Sequence, residues 1–251
     1  MISLKPEVLF QIGPVPFTNT LLHILIVDVL ILVGIYFLHK NLSKIPGLFQ
    51  NMVEYVVDGF YGLTESISPT QVKAIFPFFI GFFVFIFITN ITALFPGFGT
   101  IGIRKGEEFI PILRAANSDF NVTFALAIIS AVATHILAVR AVGIKDYLLR
   151  YFSLNPIFLF VGLLELVSEL TKIISLSFRL FGNILAGDAV LTTVSSMFAF
   201  FLPLPFMSLE IIVALVQALV FSILTMVFMS ILTTPHHEPA EHSTKGGEIH
   251  E

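Results

Sequence analysis

The chain has 251 residues, 56% hydrophobic and only 12% charged, with a mean hydropathy of +0.96. Soluble domains are about 45–50% apolar and about 25% charged, so this composition argues against a soluble enzyme and for an integral membrane protein. Cysteine is absent, which removes disulfides and thiolate sites, and the net charge of −4 contains no basic block for nucleic acid.

The N-terminal segment, residues 1–20, carries Pro6, Pro14 and Pro16 and lacks the basic start and apolar core of a signal peptide. Leu21 to Leu38 is the first candidate span, 18 residues long and interrupted by His23 and Asp28. At about 1.5 Å per residue it just crosses a ~30 Å hydrocarbon layer. Between residues 48 and 67 the pattern changes. Leu48, Phe49, Met52, Val53, Val56, Val57, Phe60 and Leu63 recur at three- and four-residue steps, opposite Gln50, Glu54, Asp58 and Glu65. That spacing predicts an amphipathic helix lying on a membrane surface, on a partner or on the protein's own spans.

Phe76 to Phe95 forms a second span stopped by Pro96-Gly97, and Thr100 to Asp119 is a polar loop. Asn121 to Val139 is a third span, containing His135 and followed by Arg140, Lys145 and Arg150. Asn155-Pro156 then makes a good start for a helix. No proline follows until Pro203, leaving 46 mostly apolar residues up to Phe201. Fully helical, that run is roughly 70 Å long, more than twice the hydrocarbon thickness. It must break near Gly182 or Gly187, or lie steeply tilted. Pro203 and Pro205 predict a turn, and Phe206 to Leu232 runs back as a fifth span. Residues 233–251 are polar, with four histidines in the company of Pro, Gly, Glu and Ser, the composition of a disordered end rather than a metal site.

The expected fold is therefore all-α: five transmembrane helices in residues 21–232, one surface amphipathic helix and no β-sheet. Residues 156–232 form a long tilted C-terminal hairpin. Loops 39–75 and 140–150 and the tail hold seven Lys and Arg, against four on the other side. The positive-inside rule then places the N-terminus outside and the C-terminus in the cytoplasm.

The long fourth segment contains Glu165, Glu169, Lys172, Arg179 and Asp188. Each ionised residue at a helix centre costs about 2.5–3.5 kcal/mol on insertion scales, so this side must face protein or water. At about 100° per residue, Glu165, Glu169, Lys172, Arg179 and Asn183 fall within an ~80° stripe. Glu169 and Lys172, at i and i+3, form a candidate structural pair. Arg179 has no acidic residue within one helical turn, and a guanidinium stays protonated, so it needs a carboxylate from elsewhere. On the last helix, Glu210 and Gln217 share a face.

The run Ser175-Leu-Ser-Phe-Arg179-Leu-Phe-Gly-Asn183-Ile-Leu-Ala-Gly187-Asp188 resembles the signature of subunit a of F-type ATP synthases. Glu165, fourteen residues before the arginine, fits the same pattern, as do Glu210 and Gln217. So do Asn90-Ile-Thr-Ala-Leu-Phe-Pro96-Gly97 and Ser118-Asp119-Phe-Asn121-Val-Thr123. The similarity covers about residues 20 to 232. It departs where Asp188 replaces a longer Glu and Glu210 stands where others carry His.

The resemblance implies a non-catalytic, multi-pass stator subunit in a bacterial inner membrane or an equivalent organelle membrane, without cofactor or metal. Its partners would be the bilayer, peripheral-stalk b subunits and a rotating ring of c subunits facing Arg179. Two offset half-channels would couple ion flow, most naturally of protons, to ATP synthesis. A ring carboxyl in lipid holds its proton because its anion is poorly solvated, and a fixed guanidinium reverses that preference. Arg179 would thus force release and block leakage. Glu165 would serve the cytoplasmic path, Asp188 and Glu210 the outer one, while Asn183 and Gln217 orient Arg179 or water. A secondary transporter with a charged midplane site is the competing reading, but it would usually show repeated halves, which are not visible here.

Overall fold

The computed structural model describes residues 6–12, 15–95, 101–105, 108–151, 156–197 and 203–234. Two strands, β1 (Val8–Ile12) and β2 (Val15–Thr18), precede helix α1 (Asn19–Lys40). Helices α2 (Leu48–Ile67) and α3 (Val72–Ala93) follow, then strands β3 (Gly102–Lys105) and β4 (Glu108–Pro111) and a 3₁₀ turn at Ala116–Ser118. Helices α4 (Phe120–Val142), α5 (Ile144–Tyr151), α6 (Pro156–Met197) and α7 (Pro203–Thr233) complete the chain.

Local sequence sets many of these boundaries. The Thr18 hydroxyl accepts the Leu21 amide at the start of α1, and an Asp119 carboxylate oxygen accepts the Asn121 amide at the start of α4. Gly143, at φ 93°, ends α4 in a conformation that side chains resist. Pro203 and Pro205 belong to the first turn of α7 rather than to a preceding turn, because a helix start needs no amide hydrogen there. Pro96-Gly97, Asn155 and the histidine-bearing tail fall outside the described residues.

Among the described residues, four helices are long and apolar enough to cross a membrane: α1, α3, α4 and α7. The expected fifth, α6, is not among them, since charged and polar side chains interrupt its apolar runs. It is, however, one unbroken 42-residue helix, so neither Gly182 nor Gly187 breaks it. The expectation of no β-sheet also needs correction. β1 pairs antiparallel with β2, where Phe10 stacks on Phe17 at 4.5 Å, and β3 pairs antiparallel with β4.

Helices α3, α4, α6 and α7 enclose the core. Phe82, Ile86, Ala127, Leu180, Ala218 and Phe221 form one cluster; Ile75, Phe79, Met226 and Met229 form a second. The second half of α2 packs on α3, with Phe60 edge-on to Phe79 and Phe83 at 5.2 and 4.8 Å. Its first half leaves Leu48, Phe49, Met52 and Tyr55 exposed. Helix α1 is similarly thin in its packing, with only Asn19, Thr20, His23 and Val27 buried.

Helix α5 lies flush against α6. A Cβ at Gly162 would overlap the carbonyl group of Tyr151, which is rigid main chain. Gly162→Ala should therefore push α5 away at about 1–3 kcal/mol, the usual cost of overpacking. The check is the melting temperature of the purified complex in detergent. An unchanged value would contradict the close approach.

Candidate functional site

Helices α6 and α7 run antiparallel, and their polar side chains meet in register. Asn183 Nδ2 donates to Gln217 Oε1 at 2.6 Å. One turn further, the Glu210 carboxylate lies against the Cα of Gly187, where any Cβ would overlap it. Glycine leaves room there for the carboxylate to come close. Gln217 is 4% exposed, and among the described residues its Nε2 has no hydrogen-bond partner, so the amide has donor capacity in reserve.

Arg179 sits four residues before Asn183 and points outward. Leu176, Leu180 and Ile184 bury the inner face of α6, while Ile174 and Phe178 flank the arginine on the exposed face. Among the described residues no carboxylate forms an ion pair with Arg179. A permanent charge is thus presented on an apolar outer surface, next to an amide pair.

Toward the chain's C-terminal end of the bundle, the stripe on α6 meets α4 and α5. Glu165 Oε1 accepts two bonds from Arg150, from Nε at 2.7 Å and Nη2 at 2.6 Å. Arg150 also donates to the Ile231 carbonyl oxygen, joining α5, α6 and α7. One turn along, Lys172 Nζ lies 2.9 Å from Glu169 Oε1 and 4.5 Å from the Phe228 ring centroid. Glu169 Oε2 faces His135 Nε2 of α4 at 3.8 Å, and Tyr147 OH of α5 hydrogen-bonds His135 Nδ1 at 2.8 Å.

At the opposite end, Asp188 and Glu210 approach a cluster built by the loop before α4. Arg114 acts electrostatically on Asp188, Asp119 and Glu7, and its Nε donates to Ser118 Oγ at 3.2 Å. Burial lowers the Arg114 pKa, and those three carboxylates oppose the shift. Asn117 Nδ2 donates to Asn90 Oδ1 at 2.6 Å, and Thr20 Oγ1 donates to Asp119 Oδ2 at 3.3 Å. His23 is fully buried within this cluster. Its Nδ1 accepts the Ala116 amide at 3.0 Å, and its Nε2 lies 2.9 Å from Thr92 Oγ1.

The structure therefore joins Asn183 to Gln217 and brings Asp188 and Glu210 together, while Glu165 and Glu169 stand apart from Arg179. Comparison with known proteins bears on what this arrangement is. The family model for the ATP synthase A chain matches residues 20–230, which reaches into every helix just described. The chain belongs to the ATP synthase subunit a family.

One relative, ATP synthase subunit a of Moorella thermoacetica, is 31% identical over 230 residues, covering 92% of this chain and 97% of its own. Another, ATP synthase subunit a 2 of Pelobacter propionicus, is 29% identical over 224 residues, covering 89% and 90%. This subunit a homologue is accordingly a membrane protein of the synthase's membrane sector, a non-catalytic part. Sequence reasoning passed over Arg114, His135 and Tyr147. Each reaches the polar clusters from a different element, across separations that helical periodicity does not read. The only sequence signal was that a charge or imidazole stood beside or within an apolar span.

Proposed function

We propose that this chain is the stationary side of the ion path in an F-type ATP synthase, with Arg179 facing a ring of c subunits. The observation that supports this best is an exposed arginine on an apolar face, lying between two separate polar clusters. Glu165 belongs to the cytoplasmic half-channel; Asp188 and Glu210 belong to the outer one. Asn183 and Gln217 orient the guanidinium and nearby water. The Glu169–Lys172 ion pair lies on α6 between Glu165 and Arg179.

Helix α6 then serves as the fifth crossing. At about 63 Å long it fits a ~30 Å hydrocarbon layer only when steeply tilted. Its charged stripe is tolerable because it faces α4, α5, α7 and the ring instead of lipid. Five crossings put the termini on opposite sides, N-terminus outside and C-terminus cytoplasmic, with α2 lying along the membrane surface. The host membrane is a bacterial inner membrane or its organelle equivalent, and the peripheral-stalk b subunits hold the stator. Protons are the coupling ion.

The test uses the complete synthase carrying this chain in sealed inverted vesicles. ATP addition should acidify the interior, and imposed proton gradients should drive ATP synthesis. Vesicles that hydrolyse ATP with an intact complex yet never acidify would contradict the proposal.

A further inference from the structure

Two carboxylates stand at the C-terminal end of the bundle, and their surroundings differ in kind. Glu165 is gripped by Arg150 through two bonds to one oxygen. That oxygen is committed to the planar fork of a guanidinium. Glu169 divides its two oxygens between two partners: Oε1 faces Lys172 at 2.9 Å and Oε2 faces His135 at 3.8 Å. Imidazole is the side chain whose ordinary charge change falls between about pH 5 and 8. Among the described residues, of the two acids only Glu169 has an imidazole neighbour.

The exposure of the pair runs in the useful direction. The His135 side chain is 34% exposed and Glu169 only 12%, so the imidazole is the more exposed group. Tyr147 OH holds Nδ1, leaving Nε2 toward the carboxylate. A phenol oxygen both donates and accepts, so that bond survives whether the imidazole is charged or neutral. Its ring packs on His135 at 6.1 Å and Tyr151 at 5.3 Å. The titratable and charged groups facing this pair are Tyr147 and Tyr151 from α5 and Lys172 from α6, with the Arg150–Glu165 pair one turn away.

We infer that His135 and Glu169 form a proton relay in the cytoplasmic path, with Tyr147 as the residue that positions the imidazole. The inference rests on the function proposed above and deepens it. With Nδ1–H donated to Tyr147 OH, His135 takes a proton from water at Nε2 and becomes imidazolium. Its Nε2–H then passes to Glu169 Oε2, leaving neutral histidine and a carboxylic acid. The 3.8 Å separation exceeds a direct hydrogen bond and is closed by a small side-chain motion or one water. Glu169 delivers the proton toward the face of Arg179, about 15 Å further along α6. Running the steps backward gives the reverse flow.

The experiment measures the ratio of ATP-driven proton pumping to uncoupled ATP hydrolysis in vesicles of the complete synthase, which removes the pH response of the catalytic head. The pH on the cytoplasmic side is varied over about 5 to 8. The unaltered chain should show one transition in this ratio. His135→Gln and Glu169→Gln should each lower the ratio about a hundredfold, the lower end of what a positioned acid or base supplies. His135→Gln should also erase the transition, and Glu169→Asp should recover part of the rate.

Tyr147→Phe keeps the ring and its packing, and should cost about threefold, the order of one neutral hydrogen bond. An assembled His135→Gln complex with the original ratio and profile overturns the relay. So does pumping that needs Na⁺ across this range. If His135→Gln fails to assemble, Tyr147→Phe decides, and an unchanged ratio and profile there overturns the relay equally. Arg179→Ala separates this failure from a wider one: if it still pumps, the proposed function itself is wrong.

Discussion

Replacing Arg179 with alanine is expected to abolish both ATP-driven pumping and gradient-driven ATP synthesis while leaving the subunit assembled. Arg179 lies on the exposed face of α6, and among the described residues no carboxylate depends on it, so its loss should cost the fold little. Its effect on a ring carboxylate is large. Two unit charges ~4 Å apart at an effective dielectric of ~20 interact by about 4 kcal/mol, which is about three orders of magnitude in an equilibrium. Without that term a carboxyl passing α6 keeps its proton and the ring has no reason to unload. Arg179→Lys should recover only a fraction, because an ammonium is compact, loses its proton more readily when buried and lacks the planar fork. Purified mutant complex in vesicles provides the measurement. Coupled synthesis near the normal rate in the alanine variant would reduce Arg179 to a packing residue.

The second large effect is expected at the opposite cluster. Glu210→Leu or Asp188→Leu should slow gradient-driven ATP synthesis by about a hundredfold, the scale of losing one positioned proton carrier. Glu210 reaches across from α7 to rest on Gly187, and Asp188 is the next residue on α6, in the field of Arg114. The two acids and one base thus share a small volume, where a neutral apolar side chain removes a proton acceptor without opening the helix pair. Gly187→Ala tests the same contact from the other side. The new methyl displaces the end of a flexible side chain rather than backbone, so melting temperature should hold while transport falls. Rates that stay unchanged in both leucine variants would remove these acids from the path.

Much of this architecture could be read from sequence because membrane helices announce themselves by length and punctuation. The amphipathic helix at 48–67 and the start of α6 at Pro156 follow from periodicity and proline placement. The strands of the two hairpins escaped, since four or five residues are too few for alternation to register. Helix α5 escaped for the same reason, being eight residues long. Glycines at 182 and 187 left the continuity of α6 undecided. A helix tolerates them when a neighbour comes close, and at Gly187 that neighbour is Glu210. In the site, the stripe along α6 was legible because its members share one helix. The reach of Arg114 to Asp188 and of His135 to Glu169 was not, because those contacts exist only once separate helices have packed.

An unbroken α6 also makes the number of residues within it a measured quantity. Between Glu165 and Arg179 the chain has no loop in which a length error could be absorbed. One inserted residue would turn everything beyond it by about 100° and advance it about 1.5 Å. The arginine would leave the outer face, or Asn183 would lose Gln217, though every side chain remained present. A seven-residue insertion would nearly restore the angle but shift the spacing by about 10 Å. Here the sequence works as a ruler and a protractor at once. Changes of length in this protein should be ruinous in the forty-odd residues of α6.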